Sequence, residues 1–179
     1  MLVFRSKRNP WHLSPKNRTG SVSFQTIVEE IMSTHHSLLK RELPKISAQF
    51  ETLSDEHPDN GALTEAKQIF AKVRNKVEVH LRDEETVLFP NGIAMERGND
   101  TTPTEINQIE RLTEMEKEHD SCGNALTGIQ TTLRTAVPAC ESRDKLLTNI
   151  QLIQDDFVVH VEKENSTVHP MFLDLYNRK

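Results

Sequence analysis

The chain has 179 residues, enough for one domain with a substantial core. Its formal charge of −5 argues against a general nucleic-acid footprint, and 5% aromatic with 27% charged residues suits amphipathic helices better than a β-sandwich. No apolar run reaches a membrane span, Met1 to Ser14 lacks the apolar core of a secretory signal, and Cys122 and Cys140 are too few for a disulfide framework, so a soluble, cytoplasmic protein is expected.

Residues 1–20 carry Arg5, Lys7, Arg8, Lys16 and Arg18 without an acidic residue, and Pro10, Pro15 and Gly20 break any regular element there. A flexible basic tail with no assigned function is expected, followed by one helical bundle over residues 21–179. Ser21 or Ser23 can cap a first helix whose stripe runs through Ile27/Val28, Ile31/Met32, Leu39, Leu43, Ile46, Phe50 and Leu53. Pro44 should kink this helix rather than stop it, because the stripe continues to about Asp55.

Asp59-Asn60-Gly61 signals a turn, and from about Ala62 a second stripe carries Ile69, Val73, Val77, His80, Glu84 and Leu88. Pro90-Asn91-Gly92 is expected to end it, with a loop to Thr104 and Thr102-Pro103 just before the next helix. The third helix is the most regular: Leu112, Met115, His119, Cys122, Leu126, Ile129 and Leu133 alternate three and four apart. Val137-Pro138-Ala139 breaks it, and Ser142 can cap a fourth helix carrying Leu146, Ile150, Ile153, Phe157, His160, Glu164 and Val168. Four long helices joined by short loops predict an all-α, up-down-up-down four-helix bundle.

Two helices repeat one motif. His80 and Glu84, and again His160 and Glu164, are four apart and share a helix face, and each glutamate is followed six residues later by a proline, Pro90 or Pro170. His36, His80, His119 and His160 each lie about 17 or 18 residues from the loop joining their helix pair, so at ~1.5 Å per residue all four sit ~26 Å from the loops, in one layer. Burying six such groups unpaired would cost several kcal/mol apiece, so this layer needs strong hydrogen bonds or a metal. Six N/O donors exceed a tetrahedral zinc site and suit two ions, each with two histidines, and Glu84 and Glu164 bridging both. Open positions then remain for an oxo or hydroxo bridge and an exogenous molecule, as in non-haem iron chemistry, with manganese or zinc as alternative occupants. The Glu-x-x-His pattern of ferritin-type sites occurs at Glu116–His119, but Phe157 stands at the matching position before His160.

With His35-His36 before Leu43-Pro44, His80 to Glu85 before Leu88-Phe89-Pro90, Glu118-His119-Asp120 before Gly123, and His160 to Asn165, the chain resembles a hemerythrin-type HHE domain over residues 24 to 175. Within that class it is most similar to the repair-of-iron-centres family of di-iron proteins. The resemblance implies ligation by His36, His80, His119 and His160, with Glu84 and Glu164 bridging two irons (Fe–O–Fe). It implies iron–sulfur cluster repair, iron donation or nitric oxide reduction under nitrosative or oxidative stress, and the alternative is an O2, NO or iron sensor without turnover. Whether the protein is an enzyme is left open; if so, it is a di-iron oxidoreductase. The implied partners are O2 or NO and damaged iron–sulfur proteins, with no nucleic acid, no membrane, and either a monomer or a dimer.

Respiratory hemerythrins carry a fifth histidine where this sequence has Gly123. The family's cysteine-bearing N-terminal segment is not found in this sequence, an acidic residue common before the second-helix histidine is Lys76, and the second Leu-Phe-Pro has become Val168-His169-Pro170. Glu118 is the one candidate catalytic group, a supporting carboxylate behind the metal, although its place off the stripe favours solvent. His35 points about 100° from His36 and should support rather than ligate, and His169, about 13 Å beyond His160, should cap the bundle end. His12 and His57 are expected in solvent, Cys122 as a buried inert thiol, and Gly123 as a site of close packing or of room for a ligand.

Overall fold

The four apolar stripes close into four helical runs in a computed structural model that describes residues 22–99 and 108–178. The basic segment 1–20, His12 and the Thr102-Pro103 start signal lie outside the described residues. The first run, residues 24–56, joins α-helix Phe24–Ile31, a widened π turn Met32–His36, and α-helix Ser37–Glu56. Ser23 caps it, its hydroxyl accepting from the Thr26 N–H at 3.1 Å, and the helix continues through Pro44. The second, residues 61–96, joins Gly61–Asp83, π turn Glu84–Leu88 and Phe89–Glu96 behind an Asn60 cap. The third is Gln108–Ala136, and the fourth, residues 141–177, joins Glu141–Lys163, π turn Glu164–Val168 and His169–Asn177. None of the described helices is long and apolar enough to cross a membrane.

Helices adjacent in sequence pack on each other, and the first also packs on the fourth. The start of the first helix touches the end of the second, which in turn touches the end of the fourth. Neighbours are therefore antiparallel and the bundle is up-down-up-down, as the stripes predict.

Two boundaries differ from expectation. Pro90-Asn91-Gly92 does not end the second helix, because the Phe89 N–H bonds back five residues to the Glu84 carbonyl. That extra residue in the turn relieves the clash a proline ring makes with the carbonyl four residues before it, so Pro90 becomes the start of a fresh α segment. The same bond from His169 to Glu164 carries the fourth helix past Pro170. Ser142 is no cap either: Cys140 holds that position without a side-chain bond to the helix N-terminus, and the Ser142 hydroxyl donates to Glu56 Oε1 at 2.5 Å.

Gly92 is internal to its helix for a tertiary reason. A Cβ there would stand 2.2 Å from Phe24 Cε1, and Phe24 is wholly buried. Phe24 belongs to an apolar cluster with Val28, Ile31, Leu88, Phe89 and Phe172 at one end of the bundle. A larger cluster, from Leu39 through Phe50, Phe70, Ile129 and Ile150, fills the loop-side end. All three π turns fall at the boundary between the two clusters, and so do the four stripe histidines.

Candidate metal centre

His36, His80, Glu84, His119, His160 and Glu164 are all buried in the layer between the clusters, and Glu84 and Glu164 have no exposed surface. The π turns account for part of this placement: His36 ends the first, while Glu84 and Glu164 begin the other two. Such widened turns recur where a helix must re-aim side chains at a functional site.

The two carboxylates divide their oxygens between two histidine pairs. Glu84 Oε2 is 3.4 Å from His36 Nε2, and its Oε1 is 3.3 Å from His80 Nε2. Glu164 Oε1 is 2.5 Å from His160 Nε2 and 3.8 Å from His36 Nε2, while its Oε2 is 3.3 Å from His119 Nε2. Between the second pair, His80 Nε2 and His119 Nε2 are 2.9 Å apart. Neighbouring N/O donors on one octahedral ion, at ~2.1 Å from it, stand about 3.0 Å from each other, so these separations suit shared coordination.

Hydrogen bonding within the protein does not satisfy the layer. Among the described residues, His36 Nε2, both Glu84 oxygens and Glu164 Oε2 are buried without a hydrogen-bond partner, and each faces another donor of the layer. Buried polar groups are seldom left so, and a cation among them supplies the missing partner. The donor set thus fits a metal, as two clusters sharing Glu164: His36 with Glu84, His160 and Glu164, and His80 with His119 and Glu164.

Without a metal, the protein's own charges set the protonation. Burial lowers His80, but Glu84, Glu118 and Glu164 outweigh it and raise the ring to about 9. His119 is pushed down to about 3, by burial first and then by its histidine neighbours, against the pull of Glu164. His80 is therefore the donor and His119 the acceptor between them. Glu164 lies well below the usual carboxylate range: burial opposes this, but His160, His36 and His119 overcome it.

Outer carboxylates aim one ring of each pair. Glu85 Oε1 accepts from His36 Nδ1 at 2.8 Å and from Lys40 Nζ at 2.7 Å. Glu118 Oε2 accepts from His80 Nδ1 at 3.0 Å, and Arg111 joins Glu118 to Asp83 at 3.1 and 2.9 Å. Fixing Nδ1–H leaves Nε2 to face the layer, the usual second contact of a metal-binding histidine. Glu118, expected on balance in solvent, is instead half-buried against His80 rather than beside His119. The sequence reading missed Glu85 altogether; its adjacency to Glu84 on the Glu84-Glu85 pair is the one cue that could have found it.

His35 is buried, its Nδ1 bonded to Asp156 Oδ1 at 2.8 Å and its ring stacked on His160, centroids 5.4 Å apart at 4°. His169 is buried at the edge of the layer, with Nδ1 3.8 Å from Glu116 Oε1. His57, expected in solvent, is half-buried with Nε2 3.7 Å from Cys140 Sγ. Cys122 is buried and free, and burial pushes its thiol up. Close packing does not explain Gly123, since a Cβ there would meet only Phe157 Cε1 at 3.9 Å. It lines an open groove of ≈ 760 Å³ between the third and fourth helices whose floor includes His119 and Phe157.

The family profile described as Hemerythrin HHE cation binding domain matches residues 28–172, which spans the whole histidine layer. The chain belongs to the hemerythrin HHE family. As an HHE domain it is a cation-binding protein, and the resemblance read from the sequence motifs holds. Its relatives include the probable iron-sulfur cluster repair protein of Haemophilus influenzae, 25% identical over 162 residues, 86% of this chain and 67% of that one. The iron-sulfur cluster repair protein YtfE of Cronobacter sakazakii is 27% identical over 152 residues, covering 82% and 65%. YtfE of Escherichia coli O1:K1 / APEC is 24% identical over 157 residues, covering 86% and 68%. The chain thus spans about two-thirds of the length of these relatives.

Proposed function

We propose that this HHE domain holds two iron ions, with His36 and His160 serving one, His80 and His119 the other, and Glu84 and Glu164 bridging them. The observation that carries the reading is the division of each buried carboxylate, one oxygen toward each histidine pair. A carboxylate that chelates a single ion would turn both oxygens to the same histidines rather than one to each pair.

The proposed role is iron–sulfur cluster repair, in which iron is the cargo, with nitric oxide reduction at the same centre as the companion activity. The names of the relatives support the first part. A pair of irons supplies redox chemistry and open positions for a small ligand such as NO or O2. The chain's own residues do the rest. Glu85 and Glu118 hold His36 and His80 with Nε2 inward, the two apolar clusters exclude water from above and below, and the groove beside His119 and Gly123 gives a small molecule or an ion a way in. Among the described residues His119 and His160 have no partner on Nδ1, so one histidine in each pair is less firmly held than its mate. That asymmetry suits a site that gives up metal.

Elemental analysis with a visible spectrum is the first test: about two irons per chain are expected, and one zinc per chain with no iron overturns the reading. The iron-loaded protein is then incubated with an oxidatively damaged iron–sulfur enzyme and, separately, with NO. Recovery of enzyme activity with matching iron loss supports repair. A tight, reversible O2 adduct with no iron loss and no NO turnover would make the domain a binding module instead.

A further inference from the structure

At the loop end of the bundle, roughly 26 Å from the histidine layer by helix rise, a second set of donors converges. Glu56 is the last residue of the first helix, His57 caps its C-terminus, and Cys140 is the N-cap of the fourth helix. Cys140 Sγ is 3.7 Å from His57 Nε2 and 3.8 Å from Glu56 Oε2, and one ligand atom from each residue lies within 4.8 Å of the others.

Those lengths have a chemical reading. With Zn–S ≈ 2.3 Å and Zn–N or Zn–O ≈ 2.0–2.2 Å, the sulfur-to-nitrogen and sulfur-to-oxygen edges of a zinc tetrahedron come to about 3.6 Å. The observed pair matches both edges to within ~0.2 Å. The carboxylate is also oriented: Ser142 Oγ donates to Glu56 Oε1 at 2.5 Å, which turns Oε2 toward the sulfur. Glu56 is exposed and the other two are half-buried, so the fourth corner of the tetrahedron faces solvent.

We propose that Glu56, His57 and Cys140 form a second metal site, separate from the histidine layer, that takes one borderline-soft divalent ion of the zinc class with a water in the fourth position. Thiolate, imidazole and carboxylate together select such an ion over magnesium or calcium. Bound there, the ion clips the loop between the first two helices to the loop between the last two. Its presence stabilises the loop end of the bundle without involving the ligands of the buried layer.

Cobalt(II) tests this on the full chain after chelation, because a thiolate ligand gives cobalt a charge-transfer band in the near ultraviolet that histidine and carboxylate ligands do not. The band is expected in the wild type and in Cys122→Ser, absent in Cys140→Ser, and weakened in His57→Ala. No band in the wild type, or one that survives Cys140→Ser, overturns the site. A second measurement does not depend on how the Cys140 variant folds. In the Cys122→Ser protein, one equivalent of zinc beyond that taken up by the buried layer should slow alkylation of Cys140 by about tenfold, since only the free thiolate reacts. An unchanged rate overturns the proposal.

Discussion

Replacing Glu164 by Gln keeps the shape of the side chain and removes its charge, which separates metal binding from packing. Glu164 has no exposed surface, with Oε1 2.5 Å from His160 Nε2 and Oε2 3.3 Å from His119 Nε2. An amide offers one acceptor oxygen and turns an NH2 donor to the other side, so it can serve one ion but repels the second. A site filled at a hundredfold its Kd stabilises the fold by about 2.7 kcal/mol. For a chain of this size each kcal/mol moves Tm by roughly 2–4 °C, so each ion is worth roughly 5–11 °C. In the metal-free protein the substitution should cost only about 1–3 kcal/mol, the range for a disturbed buried hydrogen-bond group. Calorimetry of chelated and metal-loaded samples should therefore show a modest loss without metal and a metal-dependent increment cut to about half. An increment equal to that of the wild type would refute the assignment of Glu164 as a bridge.

Glu85→Gln and Glu118→Gln should each weaken metal binding by about 10–100-fold in competition with a chelator while leaving the fold intact, because they loosen His36 and His80 rather than remove a ligand. Gly92→Ala drives a methyl against the Phe24 ring, with three ring atoms at 2.2, 2.5 and 2.9 Å, and should cost about 1–3 kcal/mol in denaturant unfolding. Gly123→Ala meets nothing closer than 3.9 Å and should instead stabilise by about 1 kcal/mol, read as a higher Tm of the metal-free protein. In that metal-free protein His80 is raised from 6.5 to about 9, so its contribution to stability is full below pH 6.5 and is lost as pH rises through about 9. Metal uptake needs the neutral ring, so at pH 8 it should release a proton into weak buffer, and apparent affinity should climb with pH until about 9.

The four-helix topology and the common level of the histidines were legible because both follow from a period of 3.6 and from distance to the loops. His36, His80, His119 and His160 sit on unbroken apolar stripes, so counting residues places them in one layer. The partners behind them were not legible. Glu85 follows Glu84 directly and on a regular helix would point about 100° away, yet it reaches His36 on another helix. Glu118 meets His80 across the interface between the second and third helices, and Asp156 meets His35 across that between the first and fourth; neither pairing leaves a trace in local spacing. Pro90-Asn91-Gly92 has the composition of a stop, and only the widened turn before it and the Phe24 ring beneath it show why the helix continues. The proline six residues after each glutamate was visible as an echo, and its meaning as the mark of a π turn emerges from the hydrogen bonds to the Glu84 and Glu164 carbonyls.

A π turn is an α-helix with one residue inserted, and three of the four helices carry such an insertion at the same height. Each insertion is absorbed within its own wide turn, so the helix on either side keeps its phase while the side chains of the turn are re-aimed. Deleting one residue from Glu84–Leu88 would close that wide turn to an ordinary four-residue bond and leave Phe89 and Met95 in phase with Phe24 and Phe172, so the change would fall on the aim of the turn's own side chains and on the room that Pro90 needs. Length at this height is thus under as strict a constraint as residue identity, and a single-residue deletion there should disturb the histidine layer while sparing the distal core.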